Sequence, residues 1–579
     1  MSDLPRRDWQ TASGIFILAL LVRLLFLFTS PDRTWPHSIF YEGDAPTWAE
    51  WAHALDEGKP FELDLPLRSP AVAYLLHWIH PGILQGPFTP HKALWCVFTS
   101  LACSLIYLAC AMSLNRRVGL LAAGMYTFSF GSYVLSTTLN NEAPYTLALM
   151  ASVVLTLRVI RKPSMFTAVA LAAVSGLAML IRTEHVLLVG FLLAYVAWRY
   201  TRQPASGGLP IPAQRKIGVL ATVLVGSILI CLPWSIHGSL ATRRFNTIPS
   251  TPPNFENVKL AWTPQARAFV ESMPAFAQDG TVQSVDYIGQ HEGFTKIDRQ
   301  DVLDILSQQF GYVHEPLSSW VFLSLKGPLD FAMANHPNAD GGFSKIALLG
   351  PGETEEPKSI AFARPHHLKL VNHGYAIGWD FITSDFGGWV NRVRSKLAYF
   401  ADGIALGFSA MNFPPGWEGE RRSVDMFTTS GNQHSLTNFL WRVTIILLLA
   451  GGVLVALRRR CASIWLLIVI YKLIATILFY GYARQSVSIA PAFYVLMALS
   501  IDQMLLFPAV AKRMSGRVSV IFAAVLIAGL LVADITRAIH RPHLTISGNP
   551  VSMPKWGAEA FESVGPLEFR ISPSDDAHD

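Results

Sequence analysis

The chain has 579 residues, 51% of them hydrophobic and only 15% charged, with a mean hydropathy of +0.35. A water-soluble chain carries about a quarter charged residues, so a soluble enzyme is excluded and a polytopic membrane protein is indicated. The net charge of +6 lies largely in short loops between apolar runs, where it sets topology and does not point to nucleic acid.

The first apolar stretch, 12–30, follows MSDLPRRDW with no small-residue cleavage site behind it, and so reads as an uncleaved first span. Segment 31–91 is too polar to cross. It holds the acidic, tryptophan-rich YEGDAPTWAEWAHALDEGKP (41–60) and then SPAVAYLLHWIHPGIL (69–84), an apolar run that is short, broken by Pro81 and interfacial or re-entrant in character. Six spans follow at 92–113, 118–138, 143–160, 165–181, 184–199 and 216–235. Cys96, Cys103 and Cys110 are heptad-spaced inside one of them and read as packing residues. No cysteine falls in 237–437, so no disulfide framework is expected there.

Region 237–437 alternates helical patches, DVLDILSQQF and WVNRVRSKLAYFADGIAL, with Pro/Gly-rich turns at NHPNADGG and LLGPGETEEP. The second patch mixes Trp, Tyr, Phe, Arg and Lys as a helix on a bilayer surface would. Its histidines, among them His366, His367 and His373, lack zinc-type spacing. Four last spans are expected at 438–457, 463–480, 486–507 and 517–535. The fold class is then an all-α polytopic membrane protein of about 11 transmembrane helices with large extracytoplasmic loops. It divides into an amino-terminal transmembrane module, 1–236, with outer loop 31–91; a loop region, 237–437; carboxyl-terminal spans, 438–535; and a tail, 536–579.

Eleven spans place Arg6/Arg7, Arg116/Arg117, Arg161/Lys162, the 199–216 loop, Arg458–Arg460 and Lys512/Arg513/Arg517 on one side. The positive-inside rule makes that side cytoplasmic, with the amino terminus inside and the protein in the inner or plasma membrane. Ionisable residues at the opposite helix ends need another reason to be there. They are Glu42, Asp44, Lys92, Glu142 in LNNEAPY, Arg182 and Glu184 in GLAMLIRTE, and Arg484 in YGYARQSVSIAP. A lipid phosphate supplies one, because arginine's planar fork matches phosphate oxygens.

Several pieces, in order and on one side, carry a family likeness: GDAPTWAEWAHALDEGKPF, LPLRSPAVAYLLHWI, RRVGLLAAGMYTFSFGSYVLSTTLNNEAPYTLAL, GLAMLIRTE, PWSIHGSL and YARQSVSIAP. Together they resemble the GT-C superfamily of glycosyltransferases that use polyprenyl-phosphate sugars, within it the branch of protein O-mannosyltransferases and lipid A aminoarabinose transferases. The likeness covers roughly residues 10–240 and, more thinly, 380–505. The chain departs from the pattern at Ala45, where a second acid is usual, at His237-Gly238, where Arg-Asn is usual, and at Gln485, where Tyr is usual.

The resemblance implies a catalytic site on the extracytoplasmic face, a polyprenyl-phosphate-linked sugar donor, and a protein, lipid or glycan acceptor. Asp44 is then the candidate base and Glu142 its orienting partner. Lys92, Arg182 and Arg484 are candidates to hold phosphate, with Glu42 and Trp48 at the substrate and Trp51 and Tyr41 in the headgroup zone. Asp44 is equally placed to cap the helix that Pro46 opens. Some relatives use a divalent metal, for which Asp44, Glu42 or Glu142 would be the ligands. Two other classes compete: a non-catalytic membrane scaffold, and a transporter of a lipid-linked substrate. The latter calls for repeats and broken midplane helices that the sequence lacks.

Overall fold

A computed structural model describes residues 4–30, 32–38, 41, 43–59, 61–79, 87–202, 212–247, 258–262, 284–285, 297–298, 316–349, 360, 365–408, 436–459, 462–481, 483–505 and 569–573. Among them the chain is nearly all helical. The elements of the amino-terminal half are α1 (Arg6–Thr29), α2 (Ala45–Asp56), α3 (Ala71–Ile79), α4 (Thr89–Ser113), α5 (Arg116–Thr127), α6 (Phe130–Ser136), α7 (Glu142–Arg161), α8 (Met165–Ile181), α9 (His185–Arg202) and α10 (Ala213–Phe245). Then come α11 (Lys326–Asn335), α12 (Pro365–Ser384), α13 (Phe386–Phe408), α14 (Leu436–Arg458), α15 (Ser463–Leu478), α16 (Ala483–Val487) and α17 (Ala490–Leu505). Two short antiparallel strand pairs are described, Val258–Trp262 with Phe569–Pro573 and Ser284–Val285 with Ile297–Asp298.

Ten of the expected spans lie on helices; the eleventh, 517–535, lies outside the described residues, as do DVLDILSQQF and most of the 536–579 tail. Among the described residues four helices, α1, α4, α7 and α10, are long and apolar enough to cross a membrane. α1 shows why. Leu21, Leu25 and Phe28 face outward and exposed, so the helix is apolar on its outer side as well as its inner one. α4 and α7 form the centre, packed on each other and on α1, α5 and α8. α8 and α10 approach through small residues: a Cβ on Gly176 would lie 2.5 Å from Ile230, and one on Gly226 2.7 Å from Ala172.

The expected span 118–138 is not one helix. It breaks at Phe128–Ser129 into α5 and α6. Ser129 and the Gly131-Ser132 pair mark the break, and another helix holds it: buried Arg23 of α1 donates to the Ser132 hydroxyl (3.0 Å) and the Tyr126 carbonyl (3.4 Å), and Ser132 donates to that carbonyl as well (2.8 Å). These bonds satisfy backbone that the break leaves without helix partners.

The two ends of the bundle differ. One end carries Asp8, held by Arg116 (2.6 Å) and Tyr107 (2.9 Å), and Asp502, held by Asn115 (3.1 Å). At the other end, 32–79 and 316–335 form a cover. Its nine-residue helix α3, part of the short apolar run 69–84, packs on α2 and does not span. The strap 316–326 is tied down by Ser324 Oγ donating to the Leu67 carbonyl (2.8 Å) and by the Leu325 amide donating to the Pro66 carbonyl (2.8 Å). The Trp234 indole donates to the Leu323 carbonyl (2.8 Å), and Leu65, Leu67, Leu325, Leu329 and Tyr480 close into one apolar cluster. The patch 389–406, expected as a helix on the bilayer surface, is helical within α13, but its Arg392, Lys396 and Phe400 are buried; the exposed aromatics Tyr375, Trp379 and Phe386 lie before it.

Candidate active site

Asp44 occupies the residue before α2, yet its side chain caps nothing there: its backbone is at φ −97°, ψ 12° and no cap bond forms. Its Oδ2 instead accepts from Arg484 at 2.8 Å, across 440 residues of sequence. The turn that aims it needs Gly43, which has φ +56° and would set any Cβ 2.5 Å from Asn140 and 2.6 Å from the Tyr41 ring.

Arg484 also reaches the Tyr41 hydroxyl (3.4 Å), which donates onward to Glu142 Oε1 (3.4 Å) and accepts from Asn140 Nδ2 (3.0 Å). Asn140 is fixed in turn by the Trp48 indole (3.0 Å), and its carbonyl by the Trp95 indole (2.8 Å). A continuous polar chain thus runs Asp44–Arg484–Tyr41–Glu142. Glu142 opens α7, where the helix's amino-terminal dipole favours a carboxylate.

Arg182 ends α8 beside this chain. Its Nε meets Glu184 Oε1 at 3.2 Å, its guanidinium lies 5.4 Å from the centre of the Tyr145 ring, and the charges of Glu142 and Arg484 act on it. Glu142 Oε2, Asn141 Oδ1 and Arg182 Nη1 are buried without a hydrogen-bond partner. Buried polar atoms are nearly always paired, so their concentration beside one arginine pair suits a ligand carrying both acceptors and hydroxyl donors.

Charge also arrives from the cover. Burial alone would raise the Asp44 carboxyl, but Arg484, then Arg68 and Lys326, overcome it and hold the group at about 2. Burial raises the Asp330 carboxyl on α11 against the pull of Lys326, Arg68 and Arg484, with Asp44 adding to the rise.

The structure brings together Asp44, Glu142, Arg182 and Arg484. Lys92 does not join them: wholly buried, it donates to the carbonyls of Asp32 (2.6 Å) and His37 (2.8 Å), a place that suits a structural post. Trp48 is buried against Trp51 and holds Asn140, so it shapes the site from behind and presents no open ring face to a sugar. Glu42 lies outside the described residues. Among the described residues no group of three or more His, Cys, Asp or Glu converges as a metal set. Asp44 faces an arginine, a neighbour that repels a cation. His366 and His367 both turn to the Leu348 carbonyl (2.7 and 2.8 Å).

Sequence reasoning missed Asn140, Arg68, Lys326, Asp330 and Lys472. Lys472 had a signal, as the lone charge inside LLIVIYKLIATIL. The departures also find places. The His237 ring stacks on Trp234 (5.0 Å between centres), and a Cβ on Gly238 would press Pro66 at 2.8 Å, so a side chain there collides with the loop bearing Arg68.

Residues 68–235 match the family model of dolichyl-phosphate-mannose-protein mannosyltransferases. The matched mannosyltransferase segment takes in Arg68, Glu142 and Arg182 and stops short of both Asp44 and Arg484. It falls inside the stretch whose motifs resemble the GT-C superfamily. No curated protein matches the chain. Two solved structures of an Archaeoglobus fulgidus oligosaccharyltransferase align with 92% of this chain at 13% identity. One is tethered to an acceptor peptide with the NVT sequon (TM-score 0.45). The other, AglB, is in complex with an inhibitory peptide and a dolichol-phosphate (TM-score 0.43). The chain spans about half of those structures, 55% of each.

Proposed function

We propose that the protein is a membrane glycosyltransferase that moves a sugar from a polyprenyl-phosphate donor to a protein, lipid or glycan acceptor outside the cytoplasm, with inversion at the anomeric carbon. The observation that carries this reading is the Asp44–Arg484 pair with Arg182 alongside: a carboxylate and two arginines drawn from three distant segments to one end of the bundle. The match of residues 68–235 to a mannosyltransferase family supports it.

The acceptor atom attacks the anomeric carbon, the bond from that carbon to the phosphate oxygen breaks, and the acceptor proton passes to Asp44. The departing polyprenyl phosphate keeps the electron pair and is held by Arg484 and Arg182. While Arg484 grips it, Asp44 is a weak base. A donor phosphate that draws Arg484 to itself loosens that grip and strengthens the base, so donor binding readies Asp44 for the acceptor. A passive scaffold gains nothing from buried unpaired atoms at Glu142, Asn141 and Arg182.

The test is Asp44→Asn in purified protein. Asn keeps the shape and loses the proton acceptor, so transfer from a polyprenyl-phosphate sugar falls by about 10²–10⁴-fold. Donor binding and thermal stability persist. Near-normal turnover in a stable Asp44→Asn protein removes Asp44 from the mechanism.

A further inference from the structure

Behind Arg182 lies a buried ion cluster that the transfer chemistry above does not use. Glu184 Oε1 is ion-paired with Arg182 Nε (3.2 Å) and accepts from Lys472 Nζ (2.5 Å), a lysine of α15 with no exposed surface. The Tyr145 ring stands against Arg182, and its hydroxyl meets that of Tyr471 at 2.6 Å and His185 Nδ1 at 3.3 Å. Arg182 is therefore gripped by its Nε edge and along its face, and Nη1 is left buried without a hydrogen-bond partner.

The charge count is the telling part. A lone Glu184 beside Arg182 would make a neutral pair, which is a poor receptor for an anion in a low dielectric. Lys472, at the same carboxylate oxygen, changes that. One carboxylate between two cations leaves a single positive charge on this cluster, the charges of Glu142 and Arg484 on Arg182 opposing each other, and the buried Nη1 is free to present it.

We propose that Glu184 and Lys472 are a positioning pair that makes Arg182 a receptor for a phosphate monoester: Glu184 fixes the direction of the fork, and Lys472 cancels the charge that Glu184 would otherwise take away. The proposal rests on the donor being phosphate-borne, and it assigns the phosphate's place to Arg182 Nη1. Neither residue touches substrate. Both act through Arg182.

A double-mutant cycle tests it, with farnesyl phosphate as probe, farnesol as its uncharged control, and the whole protein in detergent. Lys472→Met weakens farnesyl phosphate binding by about tenfold, the scale of one lost charge interaction. Glu184→Gln keeps an acceptor for Nε, raises the local charge and tightens binding. The double variant, which again carries one positive charge, recovers most of what Lys472→Met lost, and Lys472→Arg stays close to it. Farnesol binding moves with none of them. A double variant as weak as Lys472→Met, or farnesol affinity falling in parallel, overturns the positioning role and reduces the cluster to packing. Glu184→Gln removes a buried charge and is the variant to read should Lys472→Met fail to fold; weaker binding there overturns the proposal too. Wild-type protein that binds farnesyl phosphate no better than farnesol sinks the lipid-phosphate function as well. Inorganic phosphate binding as tightly as farnesyl phosphate leaves the receptor standing and overturns only its lipid donor.

Discussion

Asp44 illustrates how little a residue's position in sequence says about its task. A residue with Pro two places on, at the head of a helix, has every mark of a cap, yet its carboxylate turns away from the helix to Arg484. Because that arginine depresses its pKa to about 2, the sign is fixed. The ion pair's stabilisation is complete above the ordinary carboxylate range of about 4 and is lost as pH falls through about 2. The kcat/KM profile of the unliganded enzyme should accordingly show no limb from Asp44 between pH 5 and 9. A limb there that vanishes in Asp44→Asn would contradict the pairing. Arg182→Ala and Arg484→Ala should each weaken donor binding about tenfold or more, the equivalent of about 1.5–3 kcal/mol for a charge-assisted contact. They should differ in one respect: Arg484→Ala also raises the Asp44 pKa, so an acid limb appears in its profile and not in that of Arg182→Ala.

At the scale of elements, Lys92 and Arg68 each stand two residues after a proline, and only Lys92, at the head of an expected span, is a candidate from sequence. Tertiary burial separates them: one is sealed under the 32–38 loop, the other lies within the electrostatic reach of Asp44. Lys92→Met should take a donor from the buried His37 carbonyl, at about 1–3 kcal/mol, while the Asp32 carbonyl keeps the Trp35 amide, and lower Tm while the remaining folded protein still binds donor. Unaltered Tm with donor binding lost would return Lys92 to the site. Helix positions were legible because apolar runs of spanning length have few other uses, and Arg182 and Arg484 stood out because each broke the charge bias of its end. The expected span 118–138 reads through the break at Phe128–Ser129, although Ser129 and the Gly131-Ser132 pair are a local signal for one; what the letters could not show is Arg23, a residue of a different helix, bonded to it.

For the molecule as a whole, the separation of the basic loops from the Asp44 end organises everything else. Tags placed in 31–91 and in 237–437 should report the same, non-cytoplasmic side, as cysteine accessibility or engineered glycosylation would measure. Opposite sides would break the topology and, with it, the meeting of donor and acceptor at Asp44.

The 440-residue reach between Asp44 and Arg484 has a consequence in time. A chain emerging from the ribosome threads α1 and presents Asp44 long before α16 exists, so the carboxylate must wait through most of the protein's synthesis without its arginine. A product that ends before α16 lacks Arg484 and cannot form the pair, which is in effect a signature that this late helix has arrived and seated on the front half of the chain.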